Sequence, residues 1–211
     1  MCEAQPASSP LLIEESCSGN AEAEARVQDL RSSRLPEGFR GRPAVYVQLW
    51  WMVEATLFRM SPQFLYGWRR FLLRLFGCSV GRGVKIRPTT TITYPWKVSI
   101  GDWCWIGDDV TLYSLGRIEI GHNVVISQKS YICGGSHDFR APTFDIYQQS
   151  VMIEPEAWIA SDVFVAPGIN IGRGAVIGAR SSVFRDVAPM MVYTGNPAKP
   201  ISPRLNPGAS N

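Results

Sequence analysis

Histidine is scarce in this 211-residue chain, which has only His122 and His137. A metal site built on three imidazoles is therefore excluded within one chain. The five cysteines (2, 17, 78, 104 and 133) are odd in number, widely spaced and without a CxxC pair. That argues against a disulfide framework and a structural zinc site, and fits a reducing cytoplasm. There is no Lys/Arg block and the formal charge is only +3, so no nucleic-acid partner is expected. No charged start leads into an apolar run, which predicts no signal peptide. The most apolar stretch, 44–58, is broken by Gln48 and Glu54 and is too short for a membrane span.

Hydrophobic residues make up 45% of the chain and charged residues 18%, enough to bury a sizeable core. Nineteen Gly and fifteen Pro favour tight turns over long helices. Charge is divided: residues 1–40 hold seven acids and four bases, the remainder eleven acids and seventeen bases. Residues 1–40 read as a disordered leader and 204–211 as a tail. Between them, 41–77 reads as an amphipathic helical segment. Pro43 suits a helix start, the first helix runs from Ala44 to Met60, and Ser61-Pro62 reads as the cap of a second. Two readings stay open for this segment: helices capping a neighbouring core, or an aromatic, basic surface resting on a membrane interface.

From residue 80 aliphatic residues recur every six positions. Val80, Ile86, Ile92 and Val98 lead to Ile100, Ile106, Leu112 and Ile118, then Ile120, Ile126 and Ile132. The register returns at Ile153 and runs through Ile159, Val165, Ile171 and Ile177 to Val183. Gly follows at 81, 101, 107, 121, 172 and 178, where a turn of positive φ is expected. Two residues before the aliphatic positions come Val84, Cys104, Val110, Ser130, Ala157, Val163, Ala175 and Ser181, small or β-branched. A helix of period 3.6 cannot keep such a repeat on one face, whereas short strands joined by corners can. Three strands per coil, each coil about 4.8 Å above the last, give roughly five coils. About 15 residues after Ile132 do not fit the repeat, which predicts an extruded loop over 133–150.

Several segments carry a family likeness: Ile120-Gly-His-Asn-Val, Gly135-Ser-His-Asp-Phe, Ala157-Trp-Ile-Ala-Ser, Val165-Ala-Pro-Gly, Ile177-Gly-Ala and Gly195-Asn-Pro-Ala-Lys. In order and spacing, residues 78–203 resemble the hexapeptide-repeat acyltransferases, above all the colanic-acid-biosynthesis acetyltransferases and sugar O-acetyltransferases. The resemblance implies an all-β fold, a left-handed parallel β-helix preceded by the aromatic-rich helical segment. The hand comes from the resemblance; the general preference for right-handed crossovers points the other way.

The resemblance also implies chemistry. A sugar hydroxyl is a poor nucleophile and needs a base with a pKa near neutrality. His137, the only imidazole of the loop, matches the family's general base. Asp138 either orients that ring or contacts sugar, and amides at Gly134, Gly135 and Ser136 are candidate oxyanion donors. For an acetyl-CoA donor the matching positions are Trp158, Ser161, Ala179, Arg185 and Lys199. Arg173, Arg180 and Arg204 add positive charge, and Phe184 stands where many relatives carry Thr. Acceptor candidates are Tyr94, Trp96, Asp102 and Tyr113, each also readable as packing or a turn residue, and Cys104 and Cys133 read as core thiols. No metal is implied.

The expected activity is acetyl transfer to a sugar hydroxyl, in a free sugar or a lipid-linked glycan, in exopolysaccharide or capsule assembly. The expected enzyme is a homotrimer, cytoplasmic or peripheral on the inner membrane face. Transfer to an amino sugar or a xenobiotic, and a non-catalytic β-helix scaffold, are the alternatives.

Overall fold

A computed structural model describes residues 27–204. Residues 1–26 of the expected leader and 205–211 of the expected tail lie outside the described residues. The six-residue period folds as read, into a three-sided prism of short parallel strands. One face stacks Ser79–Val80, Val98–Ile100, Ile118–Ile120, Val151–Ile153 and Asn170–Ile171. The second runs from Lys85–Ile86 through Trp105–Ile106, Val125–Ile126, Trp158–Ile159 and Val176–Ile177 to Met191–Gly195. The third stacks Thr91–Ile92, Thr111–Tyr113, Tyr131–Cys133, Phe164–Val165 and Ser182–Val183. Five complete coils result, and Val187 and Met191–Gly195 begin a sixth.

The aliphatic rungs point inward. Ile86, Ile106, Ile126, Ile159 and Ile177 form one fully buried column, each worth about 1.5–3 kcal/mol. Val84, Cys104, Ala157 and Ala175 are buried in the tight corners beside them.

The glycines need a correction. Gly81, Gly101, Gly107, Gly121, Gly172 and Gly178 are not among the residues of positive φ. What they require is closeness between coils: a Cβ on Gly101 would stand 2.7 Å from the backbone of Gly121. Positive φ falls two residues later, at Gly83, Trp103, Asp109, Asn123, Gly174 and Arg180, and only two of these are glycine.

Helix α1 (Ala44–Val53), a π-helical turn (Glu54–Phe58) and helix α2 (Tyr66–Leu75) close the first coil. Trp50, Phe58, Leu72, Leu73 and Phe76 join the prism core. The second helix starts at Tyr66, later than the Ser61-Pro62 pair suggested. Ser61 Oγ is already committed, donating to the Phe58 carbonyl (2.6 Å) and accepting from Arg69 (2.8 Å).

The basic face of α2 also turns inward. Arg69 is fully buried and donates to the Ile86 carbonyl, Arg70 to that of Val84 and Arg74 to that of Val80. Glu54 accepts from the Ile92 amide (2.6 Å). These side chains satisfy the first coil's edge, which would otherwise offer unpaired groups to another strand.

Candidate active site

Every departure from the eighteen-residue coil falls at one corner, between the third and first faces. The first-face rung runs Val80, Ile100, Ile120, Ile153, so the first two coils are each two residues longer than eighteen. The extra residues widen the corners at 94–97 and 114–117. In the third coil the same corner extrudes an antiparallel hairpin, Gly135–His137 paired with Ile146–Gln148. The widened corners support it from below: the Gly116 amide donates to the Gly134 carbonyl (2.7 Å), and the Gly134 amide to that of Tyr113 (2.8 Å).

Lys97 ties the corner together. Its amine donates to the carbonyls of Phe39 and Leu115 and to Gln148 Oε1. Burial pushes that amine below its usual pKa. The segment before α1 lies along the same edge: Phe39 packs with Val47, Tyr94 and Leu115, and the Asp29 amide donates to the Pro142 carbonyl (2.7 Å).

His137 closes the first hairpin strand, half-buried. Its Nδ1 lies 2.9 Å from the Phe144 carbonyl oxygen, and its ring stacks on the Phe144 ring at 4.4 Å and 10°. A carbonyl only accepts, so this contact assigns the proton to Nδ1 and leaves the Nε2 lone pair available. Phe144 has φ of 50°, a strained value for a bulky residue outside the repeat's corners. Beside the ring an open cleft of about 500 Å³ is lined by Asp138, Phe139, Arg140, Tyr147 and Gln149 among others.

Asp138 is not the group that orients the ring, a role the Phe144 carbonyl fills; its Oδ1 accepts from the Arg140 amide (3.0 Å). Of the suggested oxyanion donors, the Gly134 amide is already committed to Tyr113. Tyr113 stands at the hairpin root with its ring tilted on Tyr131. Tyr94 is 5% exposed and stacked on Trp96, so its face is closed to a sugar. Asp102 lies at another corner, between first and second faces, where it binds the Arg82 amide (2.7 Å) and holds a pKa below the carboxylate norm.

The donor-side candidates gather elsewhere. Trp158 points outward from the second face with Nε1 on Ser127 Oγ (3.1 Å). Ser161 and Ala179 occupy successive corners at the edge of that face, and Lys199 sits opposite Thr194 in the C-terminal hairpin that extends it. Arg185 is exposed at the hairpin's own corner, on a later coil. Arg173 and Arg204 are engaged with Glu156, by side chain and by backbone carbonyl respectively, and Arg180 pairs with Asp162. Within one chain His137 and Trp158 thus stand on different edges of the prism.

Cys78, Cys104 and Cys133 are buried free thiols, and burial raises the pKa of each, that of Cys78 to about 12. Among the described residues no group of three or more His, Cys, Asp or Glu is placed to hold a metal ion. Sequence reasoning missed Phe144 and Lys97. Neither carried a signal, since one acts through its carbonyl and the other looks like any surface lysine.

The three-sided coil stack is interrupted once, by a hairpin that carries an imidazole beside an open cleft. Comparison with known proteins makes this specific. The chain is 55% identical over 179 residues to a protein of Escherichia coli K12 named as the colanic acid biosynthesis acetyltransferase WcaF, covering 85% of this chain and 98% of that one. A crystal structure of a maltose O-acetyltransferase from Clostridium difficile superposes with a TM-score of 0.71 at 27% identity, over 78% of this chain and 90% of that one. The hexapeptide-repeat acetyltransferase VCA0836 of Vibrio cholerae, solved with acetyl coenzyme A, shares the fold with a TM-score of 0.70 at 22% identity, over 77% and 88%. No family model matches the chain. The chain belongs to the hexapeptide-repeat acyltransferases, in the branch of the colanic acid biosynthesis acetyltransferases, and its prism is their left-handed β-helix. It is an acetyltransferase.

Proposed function

We propose that the chain transfers acetyl from acetyl-CoA to a sugar hydroxyl, with His137 as general base. The observation that carries this is the placement of His137: its Nδ1 lies 2.9 Å from a backbone carbonyl, and the residue lines an open cleft on the hairpin. In the step proposed, Nε2 takes the hydroxyl proton as the sugar oxygen bonds to the thioester carbon. The oxyanion then collapses, the C–S bond breaks, and the imidazolium returns the proton to the CoA sulfur. The acetyl-CoA complex of VCA0836 and the sugar named for the Clostridium enzyme support donor and acceptor class.

Trp158, Ser161, Ala179, Arg185 and Lys199 are proposed for the donor, Tyr113 and Asp138 for the acceptor. Because His137 leaves the corner between third and first faces while Trp158 stands on the second face, we read the working enzyme as a homotrimer whose sites are completed by a neighbouring copy. The colanic acid biosynthesis named for WcaF supports exopolysaccharide assembly as the setting, and a lipid-linked glycan is proposed as the acceptor. Radiolabelled acetyl-CoA offered with a panel of sugars and lipid-linked glycans tests the reading. Labelled acetyl ester is expected, with turnover falling about 10²–10⁴-fold in His137→Ala. Near-normal transfer by that variant removes His137 from the role.

A further inference from the structure

The cap over the first coil has two unlike sides. Its inner side is spent on the prism through Trp50, Leu73, Arg69 and Glu54. Its outer side is apolar and open: Met60 is 79% exposed, Phe64 76% and Phe71 53%, with Leu57, Leu65 and Trp68 beside them. Leu57, Met60, Leu65, Trp68 and Phe71 form one surface, and Phe64 is next to Leu65 in the chain. The Trp68 indole donates to the Leu57 carbonyl (2.9 Å) and stacks on Phe71 (5.8 Å). Leu57, Met60, Leu65 and Trp68 line one groove of about 380 Å³. A contiguous patch of this kind marks an interaction site.

We propose that the outer face of the cap docks on an anionic lipid bilayer, with Phe64 and Phe71 as the leading side chains. Charge selects this occupant. Of the five arginines in residues 42–78, Arg69, Arg70 and Arg74 are tied to first-coil carbonyls, which leaves Arg42 and Arg59 against a single acid, Glu54, turned inward onto the Ile92 amide. The exposed Arg59 therefore borders the patch with no exposed carboxylate in this segment. Two caps packed face to face would bring like charges together, whereas an anionic lipid surface complements them. Aromatic rings flanked by arginine suit the interfacial layer. Among the described residues no helix is long and apolar enough to cross a membrane, so the contact is one of lying on the surface.

Seated in this way, the prism stands with its first coil toward the bilayer. The hairpin leaves the third coil, two coil rises and one helix layer above the lipid, roughly 20 Å. That height suits a sugar carried some way out from a lipid headgroup. This last point rests on the acceptor proposed above, but docking itself does not.

Flotation of the full chain, without substrate, tests the proposal using vesicles of phosphatidylcholine alone and with phosphatidylglycerol. The chain is expected to float with the anionic vesicles, less so at high salt. A double variant, Phe64→Glu with Phe71→Glu, is expected to bind at least about tenfold more weakly, as is Met60→Glu, with melting unchanged. A chain that stays soluble with both vesicle types overturns the proposal, as do variants that float like the parent. So does a drop in oligomer mass in the variants, which gives the face to a second copy. Flotation without acetyl transfer to any sugar leaves docking standing and sinks the activity reading instead.

Discussion

The corner glycines leave no room for a side chain between coils. A Cβ at Gly101 would meet Gly121 at 2.7 Å, and one at Gly172 would meet Pro189 at 2.5 Å. These contacts are with backbone or a proline nitrogen, which cannot swing aside as a side chain can. Gly101→Ala should therefore force coils apart and cost about 1–3 kcal/mol, read as a lower denaturant midpoint. Phe144 acts at the other end of the residue scale, positioning His137 by its ring as well as its carbonyl. Phe144→Ala should lower kcat roughly tenfold or more with KM little changed, because the imidazole loses its stacked partner. A rise in KM with kcat unchanged would remove the ring from positioning the base.

Among elements, the cap depends on two ionisable groups held inside it, Glu54 and Arg69, and the hairpin on Lys97. Burial pushes the Glu54 carboxyl from its ordinary 4.5 up to about 7. The folded chain thus holds that proton more tightly than the unfolded one. The stability this supplies is complete below about pH 4.5, is lost as pH rises through 7, and is on the order of 3 kcal/mol. Glu54→Gln, which keeps an acceptor for the Ile92 amide, should flatten the melting temperature across that window. In the same cap, Arg69→Leu leaves the carbonyls of Ile86 and Gln63 without this donor and Pro62 with the Leu65 amide alone, and should cost on the order of 3 kcal/mol by chemical unfolding. At the hairpin, Lys97 links the segment before α1, the widened corner and Gln148. Lys97→Met is expected to speed amide exchange within 135–148 while leaving the rungs protected.

At the scale of the whole molecule the question is which groups one chain can bring together. His137 leaves the corner between third and first faces, whereas Trp158, Ser161 and Ala179 line the second face and its far edge. If copies share sites as proposed, mixing His137→Ala chains with Trp158→Ala chains, each inactive alone, should restore part of the turnover. Recovery of none, with mixed oligomers verified by mass, would confine each site to one chain.

The six-residue period determined the prism, because only inward rungs at that spacing can stack three strands per coil. The break after Ile132 likewise announced the hairpin, and the lone His137 within it. Tertiary structure decided what a linear pattern cannot carry. It turned Arg69, Arg70 and Arg74 onto carbonyls of the first coil, although the helix pattern left them free to face lipid. It closed Tyr94 behind Trp96 and set Asp102 on a different edge from His137. It also chose the Phe144 carbonyl as the partner of Nδ1. A repeat fixes which residues face in, since burial repeats with it; which corners meet depends on contacts between coils that are distant in the chain.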